Sequence, residues 1–201
     1  MPTGIALRDA REQLFAAAAR VLLRDGANGL TSRAVTTEAG VAKGLLHRHF
    51  ADFDGFLTEF ALDRIGGIEA RSAALRDAAG TGTVVGNLAQ ALTDLFEPVT
   101  LGLVGLVISR DTVRGRLRAA RGAGVPVLGE AAALVHSYLA AERDLGRIAA
   151  GADLDALAPT LIGAAHLLFA GREGAPPVAA EVERAVAAVV ADGAAVVTVV
   201  E

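Results

Sequence analysis

The chain has no cysteine at all. That excludes a disulfide framework, a thiolate zinc site, an iron–sulfur cluster and a cysteine nucleophile. Tryptophan is also missing, there is one tyrosine, and aromatic residues make up 4% of the sequence. A binding pocket built from this composition is therefore aliphatic, which disfavours a stacking site for planar cations. Long apolar runs are lacking too. The longest outside the alanine-rich stretches is Pro98 to Ser109, PVTLGLVGLVIS, about half of the roughly 20 residues that span a bilayer, and it reads as a buried helix with no membrane partner. The opening MPTGIALRDAREQ has no basic region followed by an apolar core and a small-residue cleavage site, so a cytoplasmic location is expected.

What is present points to a packed protein. The 201 residues are 53% hydrophobic and 21% charged, too apolar for disorder and long enough for one or two domains with a sizeable core. The net charge of −4 conceals an asymmetry. Residues 1–50 carry seven basic and four acidic side chains, against twelve and nineteen in 51–201. A small basic head on an acidic body fits a nucleic-acid-facing N-terminus.

Apolar spacing is helical almost throughout, which predicts an all-α chain. Ala10, Leu14, Ala18, Val21 and Leu22 form one face of a helix over about 7–25, stopped by Gly26. Thr31 is placed to cap a short helix that closes at Ala39-Gly40, and a second short helix follows Val41. Asp52 caps a longer helix with the stripe Phe53, Phe56, Leu57, Phe60, Ala61, Ile65 and Ile68. Breaks at 80–82 and 122–126 divide the rest into a pair of helical stretches and then longer ones. Stripes from Val127 to Leu145 and from Leu154 to Phe169 predict two long antiparallel neighbours. Pro159 is expected to loosen or bend the start of the second. Pro176-Pro177 ends it, and a final helix runs from Val178 to about Asp192, followed by a valine-rich tail.

The segment LTSRAVTTEAGVAKGLLHRHF, residues 30–50, has the layout of a helix-turn-helix. Val35, Ala39, Val41, Leu46 and Phe50 supply the buried set. The opposite face of the second helix carries Lys43, Gly44, Leu45, His47, Arg48 and His49, suited to phosphates and base edges in a major groove. Thr31, Arg33 and Thr37 join them as candidate DNA contacts from the first helix, with Arg8 and Arg11 as further phosphate candidates. Lys43 is the only lysine in the chain.

These residues resemble the TetR-type transcriptional regulators over about residues 10–60, through Leu14, Ala17-Ala18, Val21-Leu22, Gly26, Leu30-Thr31, Val35, Ala39-Gly40-Val41, Lys43-Gly44, Leu46 and His49-Phe50. The resemblance implies an N-terminal helix-turn-helix domain, 1–51, and a helical ligand-binding and dimerisation domain, 52–201. It also implies a homodimer on a palindromic double-stranded operator, usually a repressor released by a small molecule. Departures fall where the family commonly has Tyr (His47 here), Ser or Thr (Ala42 and Leu45) and Lys (Phe53). A transcriptional activator, or a helical protein-interaction module with a weakened head, is the alternative.

In the body, Asn87, Gln90, Asp94, Arg110, His136 and His166 are candidate polar liners of a pocket for a small apolar or amphipathic ligand. Thr93 is a further one. Leu134, Tyr138, Leu161, Ala165 and Leu168 are candidate dimer contacts, with small residues such as Ala131 and Gly163 permitting close approach. His136 and His166, with Glu130 or Glu142, lack metal-ligand spacing, and neither a nucleophile elbow nor a phosphate loop is present. No metal, cofactor or enzymatic activity is expected.

Overall fold

A computed structural model describes residues 4–122, 124–171 and 175–193, except for the side chains of 4–9, 192 and 193. The valine-rich tail and the side chain of Arg8 lie outside the described residues. The described part is helical: α1 Gly4–Gly29, α2 Ser32–Glu38, α3 Gly44–His49, α4 Phe53–Asp77, α5 Val84–Leu95, α6 Pro98–Ser109, α7 Asp111–Arg121, α8 Leu128–Asp144, α9 Leu154–Ala170 and α10 Ala179–Gly193. Two compact units emerge, one of Met1–Arg64 with Pro98–Pro126 and the other of Ile65–Glu97 with Val127–Glu201. The chain of α4 runs unbroken from the first into the second.

In the first unit α1 packs on α2 and α6. Its regular helix breaks at Gly26, where φ is 69°, a left-handed value that costs glycine little. Leu14, Ala17, Ala18, Val21 and Leu22 are buried as the spacing predicts. A knot of aromatic rings holds α1, α3 and α4 together: Phe15 lies 6.0 Å from Phe50, 5.7 Å from Phe56 and 5.8 Å from Phe60 between ring centroids. Phe50 meets Phe56 edge-on at 5.0 Å, a favoured aromatic geometry. At Gly102 of α6 an added Cβ would stand 2.9 Å from Leu22 Cγ, so the missing side chain is what lets α6 approach α1.

The second unit is built from the pairs α8–α9, α5–α10 and α9–α10. Thr83 caps α5 by accepting from the Gly86 amide at 3.0 Å, and Asp153 caps α9 by accepting from the Ala156 amide at 3.0 Å. Tyr138 and Glu142 are both fully buried on α8. The Tyr138 hydroxyl donates to Glu142 Oε1 at 2.5 Å and accepts from Asn87 Nδ2 at 3.0 Å. Arg147 reaches Glu142 at 3.3 Å and donates to the carbonyls of Thr81 and Gly82. The turn 80–82 is thus fastened from α5 and from the end of α8, and burial plus the adjacent carboxylate push the Tyr138 hydroxyl above its ordinary pKa.

The helix read over Pro98–Ser109 is α6 itself, and the chain turns at Phe96–Glu97 before it and at Arg110 after it. Two expectations need correction. Pro159 lies inside an uninterrupted α9 on its exposed side and does not mark a loose start. Leu145, placed in the buried α8 stripe, is 57% exposed, past the last helical residue.

Candidate nucleic-acid interface and ligand groove

Local chemistry sets the geometry of the helix-turn-helix. Thr31 Oγ1 accepts from the Ala34 amide at 3.1 Å, opening α2 with a hydroxyl cap. Gly40 takes φ 67° between α2 and α3, the left-handed turn for which a side chain would be strained. Val35, Ala39, Leu46 and Phe50 face inward, while Val41 is half-buried. With the apolar face fixed, the other face is decided: Lys43, Gly44, His47 and Arg48 are exposed, and Leu45 and His49 are half-exposed. On α2 and its cap, Thr31, Arg33 and Thr37 are exposed too.

Not every cation of this unit is available. Arg20 and Arg24 both bond Glu38 at 2.7 Å, and Arg24 also bonds Asp25 at 2.9 Å. Those donors hold the Glu38 carboxyl below its usual range, and the carboxylates raise the Arg24 guanidinium. Arg11 pairs with Glu59 at 2.5 Å and lies over the Phe15 and Phe50 rings. Arg33, Lys43 and Arg48 make no ion pair among the described residues. These three remain as charge for an external anion.

Two arginines that brace this region carry no sequence motif. Arg116 of α7 makes a two-pronged bond to Asp52, 2.7 and 2.8 Å, which holds that carboxyl well below its usual range. Arg110 donates to Asp54 at 3.3 Å and to the Leu30 carbonyl at 3.2 Å, and its guanidinium lies 5.6 Å from the Phe53 ring. Arg110, at the junction of α6 and α7, and Arg116 thereby fix both the start of α4 and the turn before α2. Only the run of arginines in DTVRGRLRAAR hinted at this, since pairing over 64 positions leaves no local pattern. Phe53, where the family commonly has a lysine, carries an arginine over its ring.

The second unit holds a groove of about 240 Å³ between α4 and α5, with Leu134 of α8 also lining it. Of the predicted liners, Asn87, Gln90 and Asp94 are there, joined by Arg71, Leu75 and Leu95. The other three are elsewhere. Arg110 belongs to the first unit and to the bonds just described. His136 pairs with Asp155 at 3.3 Å across α8 and α9. The His166 ring lies tilted, 5.9 Å from that of Phe96 between centroids, with a buried Nδ1 that has no partner among the described residues.

The dimer candidates fare no better as a surface. Leu134, Tyr138, Leu161 and Ala165 are buried within the unit, and Leu168 is half-buried. They belong to the seam by which α8 and α9 pack on their own neighbours, a face that apolar spacing alone does not distinguish from an intermolecular one. What α9 leaves outside includes Asp155, Ala156, Pro159, Thr160, Gly163 and Leu167, the last 74% exposed. Among the described residues no three His, Asp or Glu side chains gather as metal ligands, and no single helix is long and apolar enough to cross a membrane.

Residues 14–59 match the family model described as "Bacterial regulatory proteins, tetR family". No curated protein matches the chain in sequence. Among solved structures, a transcriptional regulator from Rhodococcus sp. is similar at 20% identity and a TM-score of 0.68, over 93% of this chain and 98% of that one. A member of the TetR family from Streptomyces coelicolor is similar at 22% and 0.62, over 90% and 98%. The multidrug binding protein EbrR, solved with imidazole, is similar at 22% and 0.56, over 90% and 94%. The family-model match is thus confined to the helix-turn-helix with its exposed and unpaired cations, and along most of its length the chain shares the fold of these solved regulators.

Proposed function

We propose that the chain is a homodimeric repressor that binds a palindromic operator through α3 and is released by a small amphipathic molecule. The observation that carries this reading is the unpaired, exposed set Arg33, Lys43 and Arg48, beside which the described cations Arg11, Arg20 and Arg24 are already bonded. Residues 1–51 do the reading, with Lys43 and Arg48 on phosphates or guanine edges and Arg33, Thr31 and Thr37 on the backbone. His47 and His49 donate to phosphates, and Leu45 is suited to a thymine methyl. Gly44 supports close approach: a Cβ there would meet nothing within 4 Å, so packing inside the protein does not require its smallness.

Residues 52–201 carry ligand binding and dimerisation. The exposed face of α9 suits the dimer, because Gly163 permits close approach and Leu167 offers an apolar contact. A two-fold dimer sets two recognition helices about 34–36 Å apart on successive turns of the groove. The α4–α5 groove suits the effector, and EbrR, a multidrug binding protein solved with imidazole, supports a ligand-binding body in this fold. Release follows if the ligand prefers one setting of α4, with Gly66-Gly67, just past the end of the first unit, as its compliant point.

Selection of duplexes from a random pool tests this reading. The expected product is an inverted repeat with half-site centres about 10 base pairs, or a multiple of that, apart, bound by two protomers. A pool that never enriches removes the operator-binding reading, and a monomer at micromolar concentration removes the dimer.

A further inference from the structure

We infer that the α4–α5 groove takes an aliphatic molecule ending in a primary or secondary ammonium group, with Asp94 as its anchor; this rests on the ligand-responsive reading above. The floor is aliphatic, from Leu75, Leu95 and Leu134, and would cover a hydrocarbon chain. Hydrogen-bond valence at the rim is one-sided. Gln90 Nε2 donates to Asp94 Oδ1 at 2.9 Å, which leaves Asp94 Oδ2 and the Gln90 side-chain carbonyl as acceptors without a donor among the described residues. Arg71, the cation of the groove, is turned away to the Asp94 carbonyl and to Glu97, each at 3.3 Å. A ligand carboxylate would have to displace Glu97 while lying beside Asp94. An ammonium group instead meets two free acceptors, one of them ionised.

Two further observations narrow the class. Among the described residues no aromatic side chain lines the groove, so a quaternary ammonium, which has no N–H, would find neither a cation–π face nor a bond it can donate. The whole second unit carries six basic against fourteen acidic side chains, a field that draws cations in and repels anions.

Calorimetric titration of the full-length protein with n-octylamine, octanoate and octyltrimethylammonium, all below micelle formation, separates the classes because the tail is constant. Saturable octylamine binding, at least tenfold tighter than either of the others and weakened at least tenfold in Asp94→Asn, is the expected result. Octanoate or the trimethyl compound binding as tightly, octylamine that does not bind at millimolar concentration, or an unchanged octylamine affinity in Asp94→Asn overturns the assignment. Asp94 is exposed, so the variant is expected to fold and to bind selected DNA as the parent does. The same titration in the presence of that DNA keeps the two readings apart. Octylamine that binds through Asp94 yet leaves the DNA complex intact sinks the release mechanism and not the site.

Discussion

The two units solve opposite electrostatic problems with the same few residue types. The first holds thirteen basic and nine acidic side chains and the second six and fourteen, a sharper contrast than a division at residue 50 gives. The shift comes from Arg110 and α7, whose arginines belong with the head. In the first unit carboxylates are fastened at the surface, as in Arg116–Asp52 and the pair of arginines on Glu38. The second fastens a carboxylate in its interior, where Glu142 has no exposure and takes its bonds from Tyr138, Arg147 and the Gly80 amide. Exposed pairs of the first kind add little stability but hold geometry. A buried carboxylate must keep its partners or destabilise the fold.

Core truncation gives the largest expected effect and ought to reach both properties of the first unit. Phe56→Ala opens the aromatic knot that joins α1, α3 and α4, and is expected to cost about 3–5 kcal/mol in denaturant unfolding, with DNA binding lost alongside. In the second unit Glu142→Ala leaves the Tyr138 hydroxyl without its acceptor and Arg147 without its carboxylate. A loss of about 3 kcal/mol is expected. A smaller cost than for an exposed pair such as Arg116→Ala would erase the contrast between interior and surface.

A lesser effect is expected at Gly102, where alanine must push Leu22 aside. Overpacking of this kind costs about 1–3 kcal/mol, whereas alanine at the exposed, open Gly66 and Gly67 should stabilise by up to about 1 kcal/mol each. If the pair is a compliant point, the double variant binds DNA nearly as the parent does and responds less to ligand. An undiminished response with the fold preserved removes the hinge.

Titration sharpens the comparison from both sides of neutrality. Asp52 and Glu38 are held below their ordinary range by arginines, so their contribution is present at neutral pH and fades as acid protonates them. Tyr138 is held above its ordinary value near 10, so its contribution is complete below that value and is lost as pH rises past it. Acid should therefore loosen the ties of the first unit, and alkali the network of the second. Thermal unfolding of Tyr138→Phe across pH 8–11 checks the alkaline half, where a slope identical to that of the parent would count against it.

The extent to which the sequence disclosed this follows from range. Capping, glycine turns and apolar stripes are local, which is why Thr31, Gly26, Gly40 and the inward face of α3 stand where spacing puts them. The exposed face of α3 then followed by subtraction. Long-range pairs leave no such trace: Arg110 looked like a pocket residue and is a brace, Leu134 looked like a dimer contact and lines the groove. Tyr138 and Leu161 show the remaining ambiguity, because a buried stripe carries no mark of what buries it. Arg71 went unnoticed for the same reason, being one arginine among several on an exposed helix face.

The reading of α3 is tested most directly by the salt dependence of binding to a selected duplex, measured for the parent and for Lys43→Ala with Arg48→Ala. Each phosphate contact adds about 0.9 to the slope of log affinity against log salt. Parent affinity that falls steeply with salt, and a double variant whose slope is shallower by nearly two while its fold is intact, is the predicted result if both side chains meet phosphates. If Lys43 instead reads a base edge, the slope changes by about one and the loss on the selected duplex exceeds that on random DNA by about 1–3 kcal/mol. A double variant that keeps the parent's slope and its preference for the selected duplex would contradict α3 as the reading helix.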